Sequence, residues 1–253
     1  SYYFSSLEVN DHFGRALAFN DNGMRLAIGA SRAHGNGDSY TDTGDVYIFG
    51  FENEMYKNAE LKATIGRVYS GTNKFNVALG NNDYFGRGIA MNDAGTRLAV
   101  AAPLDDGHSS STATNVGAVY LLSFTDDDYT SMTVEGIIGR GYTGSGDLNL
   151  RDLAAYDAFG NGIALNGAGT RLVVGARESD GEQNGSTDSG MVKFISFTDS
   201  DFSSPSLVMT MEESAFINDL PNNDYVGKSE SFGSAVSLNG AGNRLAVSSI
   251  YDT

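Results

Sequence analysis

Neighbouring carboxylates are the side chains in this sequence best placed to do chemistry. Asp105 and Asp106 are adjacent, and Asp180 and Asp188 lie in the corresponding segment of a later copy of an internal repeat. Calcium is held by about six to eight oxygens, several of them charged, so paired acids are the natural starting point for a site. The spacing differs between the copies and follows no EF-hand register. These aspartates are predicted as candidate ligands of Ca²⁺, although the pattern requires no cofactor.

Residue types used in catalysis are thinly spread. The histidines His12, His34 and His108 occupy unmatched positions of the repeat, and the chain has no cysteine. No Gly-x-Ser-x-Gly elbow stands on a strand-to-helix turn. The 32 acids leave a carboxylate pair for a hydrolase or lyase open as an alternative. Because no copy holds an odd cluster of catalytic types, we predict no catalytic residues and no enzymatic activity.

The charge and hydropathy of the chain argue against nucleic-acid binding and against membrane insertion. The chain has 32 acidic against 16 basic side chains, a net charge of −16. Phosphate backbones repel so acidic a surface, so nucleic acid is not expected as a partner. No apolar run approaches the length of about 18 residues that spans a membrane, so no membrane insertion is predicted.

An internal repeat of about 73 residues is the strongest pattern. Each copy has a Phe-Gly pair followed by an arginine twelve residues after the phenylalanine: Phe13-Gly14 with Arg25, Phe85-Gly86 with Arg97, Phe159-Gly160 with Arg171, and Phe232-Gly233 with Arg244. The repeat divides the chain into the tail of a preceding copy (1–10), three copies (11–82, 83–156, 157–229) and a half copy (230–253). Together these are predicted to form one domain, or a segment of a longer one.

Each full copy is predicted to contain four β-strands. In the first copy they cover about 13–19, 25–30, 46–51 and 61–65. Asn20–Gly23 joins the first two, and Asn, Asp and Gly in such a turn favour a hairpin. No segment keeps a helical apolar period.

The alternation of side chains indicates how the strands pack. One face of the first strand carries Leu17 and Phe19, and the other carries only Ala16 and Ala18. Neither face is charged, so both are predicted to be buried. Large residues on one face and small ones on the other favour sheets stacked face to face around an axis. The predicted fold is an all-β, propeller-type array of four-stranded antiparallel blades.

Acidic residues also recur two positions before each phenylalanine, at Asp11, Asp83, Asp157 and Glu230. Hairpin register argues against an ion pair with the arginine of the same copy and leaves pairing between neighbouring blades open. Both residue types are predicted to be structural.

The motif Phe-Gly, apolar strand, Asn-x-x-Gly-x-Arg-Leu-Ala-Val resembles the FG-GAP repeat of integrin α-subunit β-propellers, most of all the bacterial extracellular type. The segment from Asp83 to Pro103 carries the resemblance best, with Ala-Ala-Pro where the family has Gly-Ala-Pro. The resemblance implies four-stranded blades, an extracellular or cell-surface location, and adhesion or ligand binding. The family's calcium loop between the first two strands has no counterpart, because residues 92–97 offer a single carboxylate.

The half copy, residues 230–253, indicates what kind of binding partner to expect. It supplies two of the four strands, and residues 1–10 resemble neither of the missing ones. Proteins cover or pair such apolar edges. The expected partner is a protein or glycan surface ligand, or copies of the chain that complete the half blade head to tail in a ring or fibre. We predict a non-enzymatic extracellular role in adhesion, or a structural role in a surface or fibre. The alternative is a calcium-dependent ligand- or glycan-binding module.

Overall fold

β-Strands and the turns between them make up the chain wherever the structure describes it. The structure is a computed structural model, and it describes residues 7–37, 40–53, 55–108, 113–181, 188–212 and 231–250. Every regular element in these ranges is a strand, which confirms the predicted all-β class. In this part of the chain, no helix has the length and apolar character needed to cross a membrane.

The strands form three blades and a half blade. Blade 1 contains β1 (Phe13–Phe19), β2 (Arg25–Ala30), β3 (Asp45–Gly50), β4 (Glu60–Gly66) and β5 (Lys74–Asn76). Blade 2 contains β6 (Gly88–Met91), β7 (Arg97–Ala102), β8 (Ala118–Phe124), β9 (Met132–Gly139) and β10 (Leu148–Asn149). Blade 3 contains β11 (Gly162–Leu165), β12 (Arg171–Ala176), β13 (Met191–Ser196) and β14 (Ser206–Glu212). Half-blade 4 contains β15 (Val236–Leu238) and β16 (Leu245–Val247).

Antiparallel pairing in chain order joins the first four strands of every full blade. This confirms the predicted four-stranded antiparallel blade. Blades 1 and 2 add a short fifth strand, because β5 pairs with β4 and β10 with β9, both in parallel. The fifth strands follow the Gly-Arg-x-Tyr segments, and the sequence did not predict them.

An asparagine closes the hairpin between the first two strands of each blade. The Asn20 side-chain oxygen accepts a hydrogen bond from the Arg25 N–H at 2.9 Å, and Asn92 accepts from the N–H groups of Thr96 and Arg97 at 3.0 Å. Asn166 and Asn239 make the same pair of bonds in the later blades. The side-chain oxygen satisfies turn N–H groups that have no strand partner, which explains an Asn at this position.

Strand one starts at the Phe-Gly pair only in blade 1, where the register of β1 shifts between Phe13 and Ala16. In blade 2, β6 begins two residues after Gly86. The Phe85 N–H instead donates to the Thr43 carbonyl of blade 1 at 3.0 Å, and Phe159 donates to Val116 of blade 2 at 2.9 Å. The phenylalanine backbone therefore belongs to the junction with the preceding blade rather than to its own sheet.

Each blade has a front face toward the next blade and a back face toward the preceding one. The front face of blade 1 carries Ala27, Val46 and Ile48, which pack against Phe85, Ile89 and other back-face residues of blade 2 in one buried cluster. The junctions between blades 2 and 3 and between blade 3 and half-blade 4 repeat this arrangement. The predicted burial of both faces is therefore right for blades 2 and 3.

Blade 1 and half-blade 4 depart from that prediction. On the back face of blade 1, Phe13, Leu17 and Phe19 are exposed. On the front face of half-blade 4, Ala235, Ser237 and Ala246 are exposed. These are the faces that have no neighbouring blade among the described residues, so apolar alternation alone overestimated their burial.

Candidate functional site: acidic loops and blade junctions

Asp105, a predicted cation ligand, is buried at the back of blade 2. Both of its carboxylate oxygens accept hydrogen bonds from phenols: Tyr120 donates to Oδ2 at 2.8 Å, and Tyr142 donates to Oδ1 at 2.9 Å. The Gly107 N–H adds a third bond at 2.7 Å. Burial raises the pKa of Asp105 above its usual value. With both oxygens engaged in this way, Asp105 acts as a structural acceptor that ties three segments together.

Blade 1 builds a similar cluster around a carboxylate that comes from a strand instead of a loop. Asp45 is the first residue of β3, and its Oδ2 accepts from Tyr69 at 2.7 Å and from Tyr47 at 3.4 Å. Tyr47 and Tyr69 correspond in the repeat to Tyr120 and Tyr142. Burial raises the pKa of Asp45 to about 7. The two tyrosines recur visibly in the sequence, but the carboxylate changes element, so sequence comparison alone did not find the cluster.

Blade 3 replaces the tyrosine of this cluster with a buried lysine. Lys193 occupies the position of Tyr47 and Tyr120 and has no exposed surface. Its ammonium pairs with the Asp152 carboxylate and donates to Thr210 Oγ1 at 3.2 Å. A buried charge needs such partners. The sequence signal for this site was the single charge within the otherwise apolar strand from Met191 to Ser196.

Asp106, Asp180 and Asp188 lie in the loops between the second and third strands. Asp106 Oδ1 accepts from the Asn115 N–H, and Asp180 Oδ1 accepts from the Asp188 N–H, both at 2.9 Å. Each bond braces one end of the loop against the other. Among the described residues, no three His, Cys, Asp or Glu side chains are grouped as a metal ion would need. Residues 109–112 and 182–187 of these loops lie outside the described part.

The acids that precede each phenylalanine make local backbone contacts. Asp11, Asp83 and Asp157 accept from the N–H groups of Glu8 (2.7 Å), Gly80 (2.5 Å) and Ala154 (2.8 Å), each three residues earlier. Burial raises the pKa of Asp83 to about 7, with the charge of Asp105 adding to it, and burial raises that of Asp157 to about 6. Glu230 lies outside the described residues.

The recurring arginine crosses to the next blade. Arg25 Nε donates to the Asp127 carbonyl of blade 2 at 3.3 Å, and Arg97 Nε donates to the Ser200 carbonyl of blade 3 at 3.2 Å. Arg97 also pairs with the Asp201 carboxylate. Arg171 reaches the Gly242 carbonyl of half-blade 4 at 2.7 Å. The repeated arginines therefore join neighbouring blades through the turns of the following blade, not through the acids before Phe.

A glycine before the third strand permits the blades to approach. Gly117 has φ +90°, and a Cβ there would stand 2.2 Å from the Phe159 carbonyl oxygen of blade 3. Gly44 and Gly190 have the same conformation and the same close contact, with Phe85 and Phe232. Only glycine combines this φ with no side chain, so the Phe-Gly pair and this glycine are two sides of one junction.

One segment of the chain matches the model of a known protein family. Residues 146–192 match the family model of the FG-GAP repeat. This segment holds the Phe159-Gly160 pair, β11, β12 and the first residues of β13. No curated protein matches the sequence significantly.

Solved structures resemble the chain at low sequence identity. One is Saccharomyces cerevisiae Sqt1, at 9% identity and a TM-score of 0.43, covering 81% of this chain and 37% of that one. Another is the Myceliophteria thermophila Cps50 (Swd1) β-propeller domain, at 12% identity and a TM-score of 0.47, covering 94% of this chain and 50% of that one. This chain thus spans half or less of either protein. The blade architecture rests on the strand pairing described above. Residues 146–192 thus match the FG-GAP repeat model, and the chain is an all-β, propeller-type array of four-stranded antiparallel blades.

Proposed function

We propose that this chain is a non-enzymatic repeat scaffold that acts in extracellular adhesion or as a structural component of a cell surface or fibre. One observation carries the proposal: the charged and hydrogen-bonding side chains described above are engaged in contacts within the protein, either inside a blade or between blades. Arg97 contacts the next blade, Asp105 is held by two phenols, and Lys193 is buried against Asp152. Side chains that hold the protein together in this way are typical of a rigid scaffold whose loops are free to contact a ligand.

The surface charge and the FG-GAP repeat support the location. A net charge of −16 keeps a surface protein soluble and disfavours nucleic acid. The FG-GAP repeat favours the extracellular or cell-surface site implied by the sequence resemblance. The partner we propose is a protein or glycan of such a surface, met by the loops that project from the blades.

Surface retention tests this proposal. Fluorescently labelled chain is incubated with cells of its source organism and with isolated cell-surface polysaccharide and protein fractions, and retained signal is measured by flow cytometry and pull-down. Saturable retention that a thermally unfolded sample loses is the expected result. No saturable retention on any fraction, or substrate turnover that one point substitution abolishes, would overturn the proposal.

Calcium-dependent ligand binding is the second candidate, and one observation in blade 3 favours it. Burial raises the pKa of Asp188, and the charges of Asp180 and Glu178 raise it further, so these acids lie close together. A bound cation would relieve that repulsion. Titration calorimetry with CaCl₂, and melting curves with and without calcium, test the candidate on the wild type and on Asp180→Asn. A calcium-induced rise in melting temperature that the variant loses supports it, and identical curves remove it.

The side of half-blade 4 where third and fourth strands would lie offers a further contact. A groove of about 430 Å³ runs between blade 3 and half-blade 4 and is lined by Phe194, Val208, Leu238 and Leu245, among others. Its apolar lining supports the proposal that strands of a partner complete the half blade.

A further inference from the structure

We propose that four arginines at one rim of the blades form a binding site for an oxyanion group (a carboxylate, sulfate or phosphate) carried by an acidic glycan. These rim arginines are Arg15, Arg32, Arg87 and Arg177. They stand close together in a chain whose net charge is −16. The glycan as carrier rests on the proposed surface-binding role, whereas the oxyanion site itself does not depend on that role.

Strand topology places the rim arginines at one end of the blades. Arg15 is the third residue of β1, and its repeat counterpart Arg87 directly precedes β6. Arg32 follows the last residue of β2 by two positions, and Arg177 directly follows β12. Because the first and second strands of a blade pair antiparallel, the start of the first strand and the end of the second lie at the same edge. The four side chains therefore start from one rim, where the first strands of the three blades approach one another.

The backbone on either side of Arg87 contacts both neighbouring blades. A Cβ at Gly86 would stand 3.3 Å from the Cα of Gly29 in blade 1. A Cβ at Gly88 would stand 2.9 Å from the carbonyl oxygen of Gly160 in blade 3. Arg87 therefore lies between the two blades that carry the other three rim arginines.

The ring of Tyr84 holds two of the rim arginines near each other. The guanidinium carbon of Arg32 lies 5.3 Å from the Tyr84 ring centroid, and that of Arg87 lies 5.9 Å from the same centroid. Both distances are within the range of cation–π attraction. The ring thus fixes two positively charged groups, one from blade 1 and one from blade 2, around a single point of the rim.

Arg32 also has a buried donor that lacks an acceptor. Its Nε has no hydrogen-bond partner in the part of the chain that the structure describes. The Asp42 Oδ2 is 4.0 Å from this nitrogen, which is too far for a hydrogen bond. A buried N–H without an acceptor costs free energy, so an oxygen of a bound ligand would stabilise it.

Repulsion between like charges makes Arg87 the centre of the site. Burial lowers the pKa of Arg87, and the charges of Arg15 and Arg177 lower it further. An arginine nevertheless stays protonated in a protein, so this repulsion is not relieved by loss of the proton. Arg177 is paired with Glu178 at 2.6 Å. Among the described residues, the guanidinium groups of Arg15 and Arg87 have neither a hydrogen bond nor an ion pair, so a bound oxyanion would supply the missing counter-charge.

The chemistry of the rim indicates the class of ligand. The planar fork of a guanidinium matches the oxygens of a carboxylate, sulfate or phosphate. Two acids stand beside the rim arginines, Asp42 next to Arg32 and Glu178 next to Arg177. They would repel a ligand with closely spaced negative charges, whereas they can accept hydrogen bonds from sugar hydroxyls. A glycan whose acidic groups are separated by neutral hydroxyls therefore fits the rim better than a strongly acidic peptide.

Titration calorimetry at low ionic strength tests the site. The probes are trigalacturonate, a monosulfated disaccharide and glucose 6-phosphate, which separate the three oxyanions, with maltotriose as the neutral sugar and an Asp-Gly-Asp peptide as the acidic peptide. We expect saturable binding of at least one acidic sugar and none of maltotriose. Arg87→Gln should weaken that binding roughly tenfold to a hundredfold, because it removes a charge-assisted hydrogen bond.

Two further variants control the measurement. Arg15→Gln changes an exposed rim arginine, so it tests the site even where Arg87→Gln fails to fold, and it should weaken binding in the same direction. Lys74→Gln removes the same charge from an exposed position on β5, the outermost strand of blade 1, and should leave the affinity unchanged. Circular dichroism establishes that each variant is folded.

Three results would overturn the oxyanion site: no saturable binding of any acidic probe, wild-type affinity in folded Arg87→Gln and Arg15→Gln, or an equal loss in Lys74→Gln. Tighter binding of the acidic peptide than of every acidic sugar would reject the glycan as carrier. Surface retention of the wild type is measured in parallel. Oxyanion binding without surface retention would keep the site and reject the proposed function, whereas retention without oxyanion binding would do the reverse.

Discussion

The back faces of blades 1 and 2 have matching residues and opposite surroundings. Leu17 is 59% exposed, whereas its counterpart Ile89 is 7% exposed. Phe13 is 41% exposed, whereas Phe85 is completely buried. Leu17 and Ile89 have the same pairing with the second strand, opposite Ile28 and Val100, so at this position the difference comes from the neighbouring blade. On the first strand, the sequence thus specifies an apolar face, and a neighbouring blade decides whether that strand's side chains are buried.

The largest expected effect comes from the phenylalanine of the repeat. Phe85→Ala removes a buried ring at the junction of blades 1 and 2 and should cost about 3–5 kcal/mol of unfolding free energy. Phe13→Ala makes the same change on the exposed first strand of blade 1 and should cost roughly 1 kcal/mol. Urea denaturation at a concentration where the chain is monomeric measures both. Equal losses would contradict the comparison.

Glycine in the Phe-Gly pair sharpens the comparison by separating backbone strain from the contact between blades. Gly14 and Gly86 have φ of +88° and +82°; a Cβ at Gly14 meets nothing within 4 Å, whereas one at Gly86 stands 2.8 Å from the Asp45 carbonyl oxygen. Gly14→Ala should cost about 1–2 kcal/mol of unfolding free energy from strain alone. Gly86→Ala should cost roughly 1–3 kcal/mol more because it also overpacks the junction. Thermal and urea unfolding of the two variants check the difference, and a Gly14→Ala loss as large as that of Gly86→Ala would refute it.

A pH-dependent effect should arise from Asp45, which is buried although it lies on the same side of blade 1 as the exposed Phe13 and Leu17. Burial raises its pKa from 3.8 to about 7, so the folded state binds more protons than the unfolded state between those values. The stability it contributes is present below about pH 4 and is lost as pH rises through about 7. Asp45→Asn should lower the pH dependence of the unfolding free energy in this window by up to about 1.4 kcal/mol per pH unit.

The control for that measurement is Asp126→Asn. Hydrogen bonds from Thr130 lower the pKa of Asp126, so its contribution changes only at more acidic pH than the window above. Urea unfolding at pH 5, 6 and 7 should therefore show the wild-type slope for Asp126→Asn and a flatter slope for Asp45→Asn. A wild-type slope in the Asp45 variant would show that its carboxyl is not held protonated.

The smallest effect concerns the arginines. Arg97→Ala removes a hydrogen bond to Ser200 and a partly exposed ion pair with Asp201, which together should stabilise the folded monomer by about 1 kcal/mol. Arg244→Ala, at the open end, should change the monomer's unfolding free energy by less than about 0.5 kcal/mol. Chemical denaturation under dilute conditions measures both, and a larger loss for Arg244 would mean that it already contacts its own chain.

Local patterns predicted the blades well because the information is local. The Asn20–Gly23 turn and the alternation of β1 and β2 are each contained in a few consecutive residues. The fifth strands β5 and β10 were missed because they are short and carry no apolar alternation. Each takes its register from a neighbouring strand, and sequence periodicity does not report that pairing.

Contacts between distant segments account for the rest of what sequence reasoning missed. Asp45 and Asp105 serve equivalent tyrosine pairs from different strands and loops, so aligned positions do not match. Asp105 was predicted as a cation ligand because it stands beside Asp106 and two carboxylates can share one cation, but folding brings Tyr120 and Tyr142 onto it. Lys193 finds Asp152 across 41 residues. Calcium binding elsewhere and the absence of enzymatic activity stay predictions.

Light scattering after size exclusion, over a range of protein concentrations, tests most directly the proposal that other copies of the chain complete the half blade beside the groove between blade 3 and half-blade 4. The account predicts a weight-average mass that rises above the 26.8 kDa monomer as concentration increases, with species at multiples of that mass. A constant 26.8 kDa at every concentration would contradict it.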